Sequence, residues 1–266
     1  MRSKLLEHLR QGKTLDYLPV IDSHCHLGRS SDFYHIPKSG TDEVVAVMAR
    51  YGVAHALTFS IGVASDPRAG NNIQYAAARE FPDRFTPLTF IHARFPQDWT
   101  AELEFGAANG CRGVKLITGY QGIDENKVDW APALDFAKDR GWVVLNHHWG
   151  ATERLDMWAE RYPSIAFIVG HGFGEYGKVA AKRPNVYIST CACFVPTFCS
   201  SFEELCRLTP AEKLLYGSDA LDLDFGTGLG PIAYADIPER DKEMILGGNA
   251  LKLFKQLGWD LSKWKL

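Results

Sequence analysis

Eight short apolar runs, each followed by a segment of helical character, divide this 266-residue sequence from residue 20 onward. The runs are VIDSHCHL (20–27), AHALTFS (54–60), FTPLTFI (85–91), CRGVKLI (111–117), WVVLNHH (142–148), IAFIVGH (165–171), VYISTCA (186–192) and KLLYGSD (213–219). Most are continuously apolar rather than alternating, as expected of parallel strands covered on both faces. Between them lie helical stretches such as TDEVVAVMARYG, NNIQYAAAREFPDR and ATERLDMWAERYP, with glycine or proline at several ends. Eight such units in a chain of this length predict an α/β fold, a single (β/α)8 barrel of the TIM type. The competing open, doubly wound sheet needs a glycine-rich phosphate turn after its first strand, and His24-Cys25-His26 stands there instead. The expected domain organisation is one unit over 1–266, with a short helical extension at 1–19. A helix over 239–254 is expected to break at Gly247-Gly248. Three long connections, 28–40, 118–130 and 220–238, follow strands and read as loops on the C-terminal face, where they would shape substrate access.

Charge and composition exclude several classes of function. The formal charge of −3, with lysines and arginines scattered, gives no footprint for nucleic acid or an anionic membrane. No stretch approaches the ~18 apolar residues of a membrane span. The first residues lack the pattern of a secretory leader, so the expectation is a cytoplasmic enzyme acting on a small molecule. A homodimer is the base-rate expectation. Six cysteines with no CxxC pair read as buried thiols in a reducing compartment. Cys191 and Cys193 stand at the end of the seventh run, where strand alternation would point both the same way; packing is their expected role, with a supplementary metal ligand as the alternative.

Polar residues fall repeatedly at the C-terminal ends of these apolar runs. The first ends in Asp22-Ser23-His24-Cys25-His26, the fifth in His147-His148, the sixth in His171 and the eighth in Asp219; the fourth carries Lys115. Residues two apart share a face of a strand, so His24 and His26 point together. A barrel gathers these ends around one axis. A buried carboxylate among imidazoles needs a positive partner, and a divalent metal supplies it. Nitrogen-rich ligation with one carboxylate suits Zn2+ best, with Mn2+, Fe2+, Co2+ and Ni2+ as alternatives. The candidate ligands are His24, His26, His147, His148 and Asp219. Parity allows only one of His147 and His148 to face inward; His147 is preferred. His171 and Asp219 are the candidate catalytic residues. Arg94, Tyr120 and Lys115 are candidates for substrate or second-metal contact, and Arg29, His35 and His92 stand near the same strand ends. Asp22, deeper on the first strand, is expected to bond a ligand or an interior lysine.

At these residues the sequence resembles the amidohydrolase superfamily, in particular the amidohydrolase-related branch that includes aminocarboxymuconate semialdehyde decarboxylase-like enzymes. The resemblance rests on the ordered set IDSHCHLG, GVKL, VVLNHH, IVGHGFGE, LLYGSDAL and ILGGNALKLF. It implies a (β/α)8 barrel with one divalent metal, often zinc. His24 and His26 match that family's first-strand ligands, and His147 or His148 its fifth-strand ligand. His171 matches a histidine acting on the bound water or substrate. Asp219 matches an aspartate that is a ligand or the partner of the water. Some relatives bridge two metals through a carboxylated fourth-strand lysine, the place of Lys115. The resemblance implies hydrolysis of an amide, lactone or ester, with non-oxidative decarboxylation of an unsaturated or aromatic acid as the alternative. A barrel that has lost its chemistry and only binds is the non-enzymatic alternative.

Overall fold

A computed structural model describes residues 3–28, 40–60, 66–195, 198–221 and 223–266. Arg29 and His35 lie outside the described residues, as does most of the first long connection. The strands are β1 (Val20–Leu27), β2 (Val53–Ser60), β3 (Phe85–Pro87), β4 (Thr89–Phe90), β5 (Gly113–Leu116), β6 (Val143–Asn146), β7 (Ala166–Val169), β8 (Val186–Ser189) and β9 (Leu214–Leu215). Every ladder is parallel and joins neighbours in chain order. That is the (β/α)8 arrangement expected from the sequence, with β3 and β4 as two halves of the third barrel strand.

The ladder is not continuous around the barrel. One sheet runs β1 to β3 and the other β4 to β9. At the first seam, Leu88 sits between the halves of the third strand and its N–H donates to Thr58 O at 2.8 Å. At the second, β9 is only two residues long. The chain beyond it still bonds β1, with Ser23 N–H donating to Tyr216 O at 2.8 Å and Asp219 N–H to His24 O at 2.9 Å. The eighth run therefore leaves regular strand geometry where its polar residues begin.

Side chains sort into two cores. Ile21, Leu57, Phe59, Val143, Leu145, Ile168 and Leu215 fill the barrel interior. Val20, Val114, Val144, Phe167, Val169 and Ile188 face the surrounding helices. Counting in twos from Val143 and Leu145 carries His147 inward and His148 outward.

Two elements differ from expectation. The glycine pair at 247–248 does not break its helix: the chain passes from α-helix (Glu239–Glu243) through a π-helical turn (Met244–Gly248) into α-helix again (Asn249–Gln256). A Cβ on Gly247 would lie 1.9 Å from Pro19 O, so glycine is needed to dock this helix against the start of β1. The connection 220–238 contains a helix, Phe225–Tyr234, despite Gly226, Gly228, Gly230 and Pro231. Asp224 caps it, accepting from Gly226 N–H at 2.7 Å, and Phe225, Leu229 and Ile232 are buried. No helix among the described residues is long and apolar enough to cross a membrane.

Candidate metal centre

The last described turn of the barrel holds Asp219, which has a φ of +62°. Aspartate tolerates this left-handed conformation better than most residues. It turns the carboxylate back over β1, where Oδ1 accepts from His26 Nε2 at 3.0 Å and from His24 Nε2 at 3.2 Å. Asp22 secures the same corner. Its carboxylate accepts from the backbone N–H of His24 (2.9 Å) and Ser218 (3.2 Å) and from the Ser218 hydroxyl. Asp22 thus holds the first and last strands together. Burial pushes it up to about 7 against the pull of the Ser218 bond.

Phe59 on β2 fixes both imidazoles. Its ring meets His24 at 4.8 Å and His26 at 4.6 Å between centroids, edge to face. Lys115 on β5, 1% exposed, sets its Nζ 4.1 Å from the centre of the same ring. On the far side, His171 Nε2 and His147 Nδ1 share a hydrogen bond at 2.9 Å, and the His171 ring lies 4.8 Å from that of His24. The structure therefore gathers His24, His26, His147, His171, Asp219 and Lys115 at the barrel mouth. It does not bring His148 into this group. That ring faces outward, its Nδ1 accepting from Gly150 N–H at 3.0 Å and its Nε2 lying 3.4 Å from Glu175.

The electrostatics follow from this packing. Burial, reinforced by the Lys115 charge, lowers His24 to about 3 and holds His147 well below the usual histidine range. Burial and then His147 do the same for His171. For Asp219, burial works upward, but the bonds from His24 and His26 outweigh it and keep the carboxyl well below its ordinary value. The outcome is neutral His24, His147 and His171 near an ionised carboxylate, the protonation state a divalent cation requires. His24, His26 and His171 each keep a buried Nδ1 without a hydrogen-bond partner among the described residues. One donor atom from each of His24, His171, Cys191 and Asp219 can be chosen so that all lie within 4.8 Å of one another. Orphaned ring nitrogens, a carboxylate and a sulfur in one buried cluster fit a borderline-soft divalent ion.

Around the cluster lies an aromatic wall. Tyr120 is 5.1 Å from His147, and Phe198 is 5.3 Å from His171, between centroids. A cleft of about 660 Å3 opens beside it, lined by His147, His148, Phe173, Glu175, Phe198 and Cys199 among others. Arg94 does not point a free guanidinium inward: Nε and Nη2 both donate to Gln121 O, at 3.0 and 2.9 Å, pinning loop 118–130 to the third strand. His92 supports the same corner, its Nδ1 accepting from Arg94 N–H at 3.2 Å. Sequence reasoning missed Phe59 and the Asp22–Ser218 clasp. Phe59 carried no polar signal, and Ser218 was legible only as part of GSD.

The sequence model described as Amidohydrolase matches residues 21–256. No curated protein matches. Among solved structures, an uncharacterized TIM-barrel protein of Bordetella bronchiseptica is similar at a TM-score of 0.71 and 19% identity, over 91% of this chain and 100% of that one. A probable 2-pyrone-4,6-dicarboxylic acid hydrolase of Acinetobacter baumannii, with citric acid bound, is similar at 0.67 and 16%, over 90% and 100%. A 5-carboxyvanillate decarboxylase of Novosphingobium aromaticivorans, complexed with manganese and 4-hydroxy-3-methoxy-5-nitrobenzoic acid, is similar at 0.67 and 14%, over 92% and 98%.

Proposed function

The chain belongs to the amidohydrolase family, and from that we propose that it is a zinc-dependent hydrolase of an amide, lactone or ester of a small, flat, unsaturated molecule. One observation carries the reading: the Asp219 carboxylate lies within 3.0–3.2 Å of both His24 and His26 at the mouth of the barrel. His24, His26 and Asp219 would hold the ion, with His147 the donor from the fifth barrel strand. A bound divalent ion supplies Lewis-acid activation of water and of a carbonyl. Asp219 accepts the proton that water loses as its oxygen bonds to the carbonyl carbon, and returns it to the departing alkoxide or amine. His171, buttressed by His147, orients the carbonyl. Lys115 stands behind the cluster as a buried cation and steadies negative charge that develops in front of it. Tyr120 and Phe198 make flat walls that favour a planar substrate. Six cysteines with no disulfide among the described residues fit a reducing, cytoplasmic setting.

The same aromatic walls favour a second reading, decarboxylation of an unsaturated or aromatic acid, in which a C–C bond breaks and a proton is delivered to carbon. Reaction in H2-18O with a panel of pyrone lactones, aryl esters and hydroxybenzoates separates the two. Hydrolysis puts one solvent oxygen into the product carboxylate. Carbon dioxide release, with solvent deuterium appearing on carbon and no 18O in the organic product, would replace the first reading with the second.

A further inference from the structure

The metal-site reading leaves one buried donor without a role. Cys191 follows β8 and is fully buried. Strand alternation would send Cys191 and Cys193 the same way, but Ala192 between them has a φ of +61°. That left-handed residue breaks the alternation. Cys193 then packs against the chain at Gly172, where a Cβ would lie 2.1 Å from its Sγ. Cys191 goes to the barrel mouth instead, as the sulfur of the four-donor cluster with His24, His171 and Asp219.

The surrounding chain makes room for this. A Cβ on Gly217 would lie 3.0 Å from His24 Cβ and 3.3 Å from Cys191 Cβ, so the missing side chain lets the two approach. Gly172 N–H donates to Cys191 O at 3.0 Å, tying the segment that carries His171 to the one that carries the thiol. A thiol that only fills core would sit among apolar side chains. This one joins the apolar core on one side, and its sulfur also belongs to a cluster with two imidazoles and a carboxylate.

We propose that Cys191 supplies a sulfur donor to the divalent metal centre. Binding exchanges the S–H bond for a sulfur–metal bond and releases one proton to solvent. A thiolate ligand favours zinc over the harder manganese. The proposal rests on the reading that the cluster at the barrel mouth holds a divalent ion.

X-ray absorption at the zinc edge of the full-length, zinc-loaded protein tests it without reference to activity. The expected spectrum contains one sulfur scatterer at ~2.3 Å beside a nitrogen and oxygen shell. Cys191→Ser should lose that scatterer, whereas Cys206→Ser, at a partly exposed site away from the mouth, should keep it. Competition between zinc and manganese should show the Cys191→Ser protein losing zinc preference on the order of tenfold. Stoichiometric zinc with only nitrogen and oxygen neighbours in the unaltered protein would overturn the sulfur donor and leave the hydrolase reading standing. Failure to take up stoichiometric zinc would overturn both. Because the decisive spectrum is that of the unaltered chain, a poorly folding variant does not rescue the idea.

Discussion

At the scale of single residues, charge placement decides what each group can do. Asp219 is the sharpest case, because asparagine also tolerates a left-handed backbone. Asp219→Asn should therefore keep the fold while removing the proton acceptor. A fall in kcat of about 10²–10⁴-fold is expected, with near-native circular dichroism. Full turnover by that variant would remove Asp219 from the chemistry. His55, away from the site, makes a separate test. It is fully buried, its Nδ1 donates to Asp83 O at 3.1 Å, and its ring stacks on Trp264 at 3.5 Å. Burial lowers it from 6.5 to about 3. The unfolded chain thus takes up this proton before the folded one does. The stability contributed is fully present above pH 6.5 and is lost as the pH falls towards 3, by at most about 1.4 kcal/mol per unit. Chemical denaturation at several pH values should show a shallower acid loss in His55→Gln than in the parent; equal slopes would mean that other groups dominate.

At the scale of elements, the chain shows where a sequence can be read and where it cannot. Continuous apolar runs marked the parallel strands, and the count in twos from Val143 and Leu145 agrees with His147 facing inward. The final strand was harder. Its ladder stops after Leu215, and Tyr216 to Ala220 bond to β1 one group at a time. The Phe225–Tyr234 helix was illegible because its glycines and proline have low helical propensity. Tertiary packing overrides that preference: a Cβ on Gly228 would lie 2.8 Å from Gly217 O, so the helix presses directly on the segment leading to Asp219. Gly230 has nothing within 4 Å of such a Cβ. The two glycines therefore predict opposite outcomes. Gly230→Ala should stabilise by ~0.5–1 kcal/mol, visible as a rise of a few degrees in Tm. Gly228→Ala should destabilise by about 1–3 kcal/mol and lower kcat as the Asp219 turn shifts. Equal effects on melting would show that backbone approach does not control this helix.

At the scale of the whole molecule, the barrel acts as a collector. His24, His147, His171, Cys191 and Asp219 come from five separate strand ends, and parallel packing in chain order brings them to one face. That convergence was legible because each polar residue ended an apolar run. The proposed contribution of Cys191 was only faintly legible, since the direction of its side chain depends on one left-handed alanine. An ion at this point ties those strand ends together only in the folded state, so it should stabilise the entire barrel by mass action. Chelation should lower Tm and abolish turnover together, and added zinc should restore both. At zinc near 100 times its dissociation constant, the linked stabilisation is about 2.7 kcal/mol. A protein that melts identically with and without chelator would hold no such ion.

Anomalous scattering from crystals of the zinc-loaded protein tests the central claim most directly. The account predicts one strong peak at the barrel mouth, ~2.0–2.2 Å from a nitrogen of His24 and from an oxygen of Asp219. A peak elsewhere, or none at full zinc occupancy in solution, would contradict it.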